Sequence, residues 1–161
     1  HFNETVACQK VDEIAFYAEK KIEKEFGCDA IPMPADAPNE SWNASTLTEK
    51  GLISMKHTAV VCGIGQLGKN TLLLNPEFGN RLTLGAVFTD YEFESDEPCE
   101  NICIEGCKKC MEACPVQAIH DGHVEQKLCR TNSFHKTARG FDTVDCNCCR
   151  RVCPMRYGKG R

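Results

Sequence analysis

At 161 residues, 42% of them hydrophobic, the chain falls in the single-domain size range and can bury a core without disulfide staples. Its net charge of −4 is unevenly spread: residues 1–98 carry 8 Lys/Arg against 16 Asp/Glu, and residues 99–161 carry 11 against 7. Overall acidity without aromatic interleaving of the basic residues argues against a general nucleic-acid-binding module, and no 18-residue apolar run offers a membrane span.

In chain order, residues 4–26 read as one helix, with Asn3 as N-cap, Glu4 in the first turn and Gly27 at the left-handed C-cap position. Val11, Ile14, Ala15, Ala18 and Ile22 recur at helical spacing as its apolar stripe. A short strand follows over residues 30–33, ended by Pro32 and Pro34. Residues 34–50 form a polar loop in which the single tryptophan, Trp42, is read as a loop anchor rather than a lid. Residues 58–61 are expected as a buried strand and residues 82–89 as another, with Cys62 a small buried residue at the first strand's end. Residues 90–97 are acidic and unpatterned. Pro98 marks the expected boundary between an α/β domain, residues 1–98, and a domain of cluster-binding loops and short helices, residues 99–161.

That second part carries the strongest signal. The spacing C-x2-C-x3-C-P occurs at Cys107, Cys110, Cys114 and Pro115, and again at Cys146, Cys149, Cys153 and Pro154. Cys103 and Cys129 precede the two copies. Eight thiols in two sets of four match the ligand count of two cubane clusters. Zinc ribbons use paired C-x2-C hooks without the C-x3-C-P continuation, and thirteen cysteines cannot all pair as disulfides. The five surplus thiols, Cys8, Cys28, Cys62, Cys99 and Cys148, point to a reducing compartment, the cytoplasm. The sequons at Asn3, Asn39 and Asn43 are coincidental in such a chain. The chain begins at His1 rather than methionine, which suggests a processed, tagged or excised start. Arg150, Arg151, Arg156, Lys159 and Arg161 are read as neutralising the clusters' negative charge. His120 and His123 flank a turn as exposed loop residues.

Gly63, Gly65 and Gly68 spell G-x-G-x-x-G after the expected strand, with Asp90 beyond. Taken alone this is a dinucleotide fingerprint, but Asn75, Pro76 and Gly79 leave little room for the long helix such a fingerprint opens.

The stretch HTAVVCGIGQLGKNTLLLNPEFGNRLTLGAVFTD, residues 57–90, resembles epoxyqueuosine reductases and the related reductive dehalogenases. CIEGCKKCMEACPVQAI, QKLCR and CNCCRRVCP resemble the double-cluster domain of the same superfamily. The resemblance implies an α+β architecture, part of a nitroreductase-like α/β domain followed by a ferredoxin-like domain with two [4Fe-4S] clusters. It implies a corrinoid (cobalamin) lying against Gly63, Gly65, Gly68, Lys69 and Asn70, with the clusters feeding electrons to its cobalt, and tRNA as substrate. One cluster would take Cys103, Cys107, Cys110 and Cys153, the other Cys114, Cys129, Cys146 and Cys149, each motif's last cysteine crossing to the other cluster. Cys99 rivals Cys103 as first ligand, and a register shift would exchange Cys148 for Cys149.

The family's substrate-protonating acid comes from a part of the catalytic domain with no counterpart in these residues, so no catalytic residue is nominated. The helical repeats of many epoxyqueuosine reductases are likewise absent. The leading expectation is a low-potential electron-transfer protein whose clusters are shielded by Ile102, Ile104, Val116, Ile119, Val152 and Met155, working with a redox partner protein or a small acceptor. A corrinoid-dependent reductase is the alternative.

Overall fold

The computed structural model describes residues 2–36 and 41–160, except the side chains of Phe2 and Asn3. The capping role expected of the Asn3 side chain and the sequon at Asn39 lie outside the described residues. Helix α1, Phe2–Phe26, is closed by Gly27 at φ +64°, whose amide donates to the Glu23 carbonyl at 2.9 Å. Glu4 in its first turn and Lys24 in its last complement the helix dipole. Its inner face carries Val11, Ala15, Ala18 and Ile22, as the spacing predicts, but Ile14 points outward at 66% exposure and Glu19 is buried instead.

Helix α1 packs on β1, Ala30–Met33, which pairs antiparallel with β6, Ala86–Thr89. Pro32 does not end β1 but sits within it opposite Val87. A strand bonded on one side only tolerates a residue that lacks an N–H. Beyond β6, Tyr91 and Phe93 close on Phe26 in a three-ring cluster with centroids 4.5–5.1 Å apart, which pins the acidic segment to the end of α1.

Residues 41–50 fold into a hairpin of β2, Ser41–Asn43, and β3, Thr48–Lys50. The Asn43 carboxamide oxygen accepts from the Ser45 and Thr46 amides and turns the chain. Trp42 is an anchor as expected, stacked 5.4 Å from the Arg130 guanidinium.

The strand expected over residues 58–61 is a helix, α2, Met55–Val61. The β-branched run suggested a strand, yet Ala59 is buried while Val61 is 81% exposed, the reverse of strand alternation. Cys62 is correspondingly an exposed helix-end residue, not a buried strand end. The Gly63 amide donates to Val60 and the Ile64 amide to Ala59, a Schellman closure with Gly63 at φ +69°. In a dinucleotide fingerprint the glycines open a helix; here Gly63 ends one.

A small hairpin follows, β4, Gln66–Leu67, and β5, Leu73–Leu74. The C-terminal part holds α3, Lys109–Glu112, α4, Gln126–Ser133, and α5, Cys148–Arg151. It is not purely helical: β7, Phe134–Lys136, and β8, Asp142–Val144, form an exposed hairpin. Its core is Cys114, Ala118 and Ile119, with Val116, Val124, Cys129 and Cys149 packed around them. No helix among the described residues is long and apolar enough to cross a membrane.

Candidate metal centre

All thirteen cysteines are free thiols. Cys110 and Cys153 each feel the charges of Cys103 and Cys107. Cys129 feels Cys146 and Cys114, and Cys149 feels Cys129 and Cys146. The chain therefore gathers its ligand candidates into two neighbourhoods, and the last cysteine of each C-x2-C-x3-C-P motif stands with the other motif's set. Cys149 also feels Cys110, so the two neighbourhoods adjoin. Neither Cys99 nor Cys148 lines the cavity shared by Cys103, Cys107, Cys110 and Cys153.

Burial is the largest cause pushing the thiols of Cys110, Cys129, Cys149 and Cys153 above their ordinary value, and neighbouring thiols add to it. Arg130 partly offsets this at Cys129 and Arg156 at Cys153. Such a set of crowded, half-buried sulfurs suits a metal whose positive charge stabilises the thiolates. Among the described residues no three His, Cys, Asp or Glu side chains converge on one ion position. A cubane does not require that convergence, because each thiolate binds a different iron.

Cys103, Cys107, Cys110 and Cys153 line one cavity together with Gly68, Lys69 and Asn70. Cys114 is buried, and the Ala118 amide donates to its Sγ at 3.2 Å. The apolar shell is largely as expected: Ile102 and Ile119 are buried and Val116, Val152 and Met155 half-buried, but Ile104 is exposed.

The loop between β4 and β5 ties the two sets together. It is closed by the Gly68 amide donating to the Leu72 carbonyl and the Thr71 amide donating to the Gly68 carbonyl. From it, Lys69 Nζ donates to the carbonyls of Ile104 and Cys107 at 3.3 and 3.2 Å. Asn70 Nδ2 donates to the Cys149 carbonyl at 3.4 Å. One short loop thus holds backbone belonging to both cysteine sets.

The glycines themselves face the chain. A Cβ on Gly63 would meet the Glu97 carbonyl oxygen at 2.6 Å, and one on Gly65 the Leu74 carbonyl oxygen at 2.5 Å. The close approach they permit is made by the protein's own backbone, and Gly68, Lys69 and Asn70 turn to the cysteines. Of the five residues expected against a corrinoid, Gly68, Lys69 and Asn70 line the cavity of the first cysteine set, whereas backbone carbonyls fill the space beside Gly63 and Gly65. The sequence reading missed Arg130 and the Ala118 amide, although the Arg following Cys129 in QKLCR places a cation beside a candidate ligand.

No protein-family profile matches the chain. It is 30% identical over 131 residues to an epoxyqueuosine reductase of Bacillus subtilis, covering 75% of this chain and 34% of that protein. It is 32% identical over 123 residues to that of Bacillus cereus, covering 70% and 32%. The epoxyqueuosine reductase of Prochlorococcus marinus is 29% identical over 148 residues, 84% of this chain and 46% of the relative. A crystal structure of epoxyqueuosine reductase with an epoxyqueuosine-modified tRNA-Tyr stem loop superposes with TM-score 0.69 at 23% identity, over 94% of this chain and 39% of that one. The enzyme from Streptococcus thermophilus gives TM-score 0.63 at 24% identity, over 87% and 37%. At such identity the superpositions establish the fold alone. The chain spans about a third of the length of the Bacillus relatives.

Proposed function

From a chain that belongs to the epoxyqueuosine reductase-like superfamily, we infer a cluster-bearing electron-transfer unit: two [4Fe-4S] clusters, one on Cys103, Cys107, Cys110 and Cys153, the other on Cys114, Cys129, Cys146 and Cys149. The observation that carries this reading is the sorting of the thiols into two adjoining neighbourhoods with each motif's last cysteine exchanged. Each cluster, when bound, supplies one-electron redox chemistry.

The protein's own contribution is enclosure and charge. Ile102 and Ile119 keep water from the sulfurs, and the Ala118 amide stabilises electron density on Cys114. Arg130 and Arg156 offset the thiolate charge, and the Lys69–Asn70 loop holds both sets in register. The ferredoxin-like description of residues 99–161, beside a nitroreductase-like part in residues 1–98, belongs to this proposal.

Anaerobic reconstitution tests it, with about eight iron and eight sulfide per chain expected for two cubanes. About half that content, unaffected by removing Cys129, defeats the two-cluster assignment.

A second reading is favoured by the relatives: the chain is the cluster-bearing portion of a reductase whose electrons reach a modified tRNA base. A corrinoid intermediary is tested by mixing the chain with cobalamin. Co-elution with an altered visible spectrum establishes it, and its failure leaves the electron carrier.

A further inference from the structure

One cavity is lined by Arg81, Arg150, Arg151, Arg156, Tyr157, Asn80 and Asn147. Arg81 and Arg156 both stack on the Tyr157 ring, at 5.3 and 4.9 Å from its centroid. Among the described residues no carboxylate pairs with any of the four arginines. Arg81 donates to the Tyr157 hydroxyl at 3.5 Å, Arg150 to the Asn80 carbonyl and Arg156 to the Arg151 carbonyl, neutral acceptors that hold these guanidiniums without cancelling their charge. Glu77 faces Arg81 and Tyr157 only from the adjoining cavity. The positive field extends inward, for Arg150 helps hold the Lys56 ammonium below its ordinary range. Asn80 is buried at 3% exposure. Its Nδ2 donates to the Arg150 carbonyl at 3.3 Å, while its Oδ1, also buried, has no hydrogen-bond partner. Like charges gathered around one cavity with no carboxylate among them are costly unless an anion occupies it.

We propose that this cavity is a binding site for a phosphate oxyanion. Several guanidinium forks lining one cavity match the oxygens of a phosphate monoester or diester better than a single planar carboxylate. The stacking on Tyr157 fixes two of the forks in advance. The site does not rest on the cysteines' redox role.

The experiment is calorimetry on the reconstituted full chain at low ionic strength, with inorganic phosphate, adenosine monophosphate and a short single-stranded RNA as probes. Saturable binding of at least one probe is expected. Arg151→Gln and Arg81→Gln should each weaken it roughly tenfold or more, the loss of charge-assisted hydrogen bonds. Far-ultraviolet circular dichroism and cluster absorption should stay unchanged, and Lys136→Gln on β7 should bind like the parent chain. Equal affinity for the three probes identifies a free phosphate compound as the ligand. Tighter, strongly salt-dependent RNA binding that both variants lose identifies a nucleic-acid backbone. No saturable binding of any probe, or binding that neither variant changes, overturns the proposal.

Discussion

The carbonyl of Arg156 packs against the α-carbon of Gly79 so closely that a methyl group there would overlap it. Gly79 holds φ +65° and exchanges two backbone hydrogen bonds with Asn75, at 2.8 and 2.9 Å. The Lys159 amide donates to the Pro76 carbonyl at 2.7 Å, so the turn and the C-terminal segment dock backbone to backbone. Gly79→Ala adds left-handed strain of about 1–2 kcal/mol and must also displace the segment that carries Cys153. A lowered unfolding midpoint and faster loss of iron to a chelator are expected. Unchanged iron loss would show that this docking does not hold the Cys153 segment.

Cys129 and Cys99 separate ligand from bystander. Cys129 stands with Cys114, Cys146 and Cys149, whereas Cys99, its Sγ 3.6 Å from the Glu100 carbonyl, is not among the cysteines that line the first set's cavity. Cys129→Ser should retain about half the iron after anaerobic reconstitution, because one of two clusters loses a ligand. Cys99→Ser should retain all of it. Loss of half the iron from Cys99→Ser would put Cys99 in place of Cys103, and full retention by Cys129→Ser would remove Cys129 from the second set.

The cysteine spacing was legible because it is covalent bookkeeping: C-x2-C-x3-C-P brings thiols together through local turns, whatever the rest of the chain does. Helix α1 was legible for a similar reason, since Gly27 and the stripe from Val11 to Ile22 are local signals. Residues 58–61 misled because Thr58, Val60 and Val61 favour strands intrinsically, and the Ser54 and Thr58 carbonyls that close α2 leave no mark in composition. The glycines misled differently. G-x-G-x-x-G records that backbone comes close, not whose backbone, and for Gly65 it is the carbonyl of Leu74. Ile14 is exposed and Glu19 buried for a reason periodicity does not carry: which side of α1 meets β1.

Arg130 joins the β2–β3 hairpin to the neighbourhood of Cys129. Its guanidinium lies between the rings of Trp42 and Phe134, at 5.4 and 5.8 Å, pairs with Glu49 at 2.6 Å and donates to the Leu47 carbonyl. Arg130→Ala should cost about 1.5–3 kcal/mol, the range for hydrogen bonds to a charged group. Trp42 is the only tryptophan, so its fluorescence reports the event directly. Greater quenching by acrylamide with a red-shifted emission is expected, and unaltered emission would mean that the hairpin is held elsewhere.

Lys56 gives the chain a pH dependence of definite sign. Its Nζ donates to the Thr71 carbonyl at 2.9 Å; burial first, and the charge of Arg150 second, lower its pKa from the ordinary 10.5. The unfolded chain keeps its proton over a range in which the folded chain has begun to release it. Below the folded pKa the full penalty for burying the ammonium is present. As pH rises from there to 10.5 the penalty disappears, so this group makes the fold more stable with increasing pH across that window. Lys56→Met removes the titration. Guanidinium unfolding of the reconstituted protein, followed from neutral pH to above 10.5, should show the parent chain gaining on Lys56→Met as the pH climbs. A constant difference in midpoint between the two proteins over the whole range would mean that the Lys56 ammonium is not held in the strained state described.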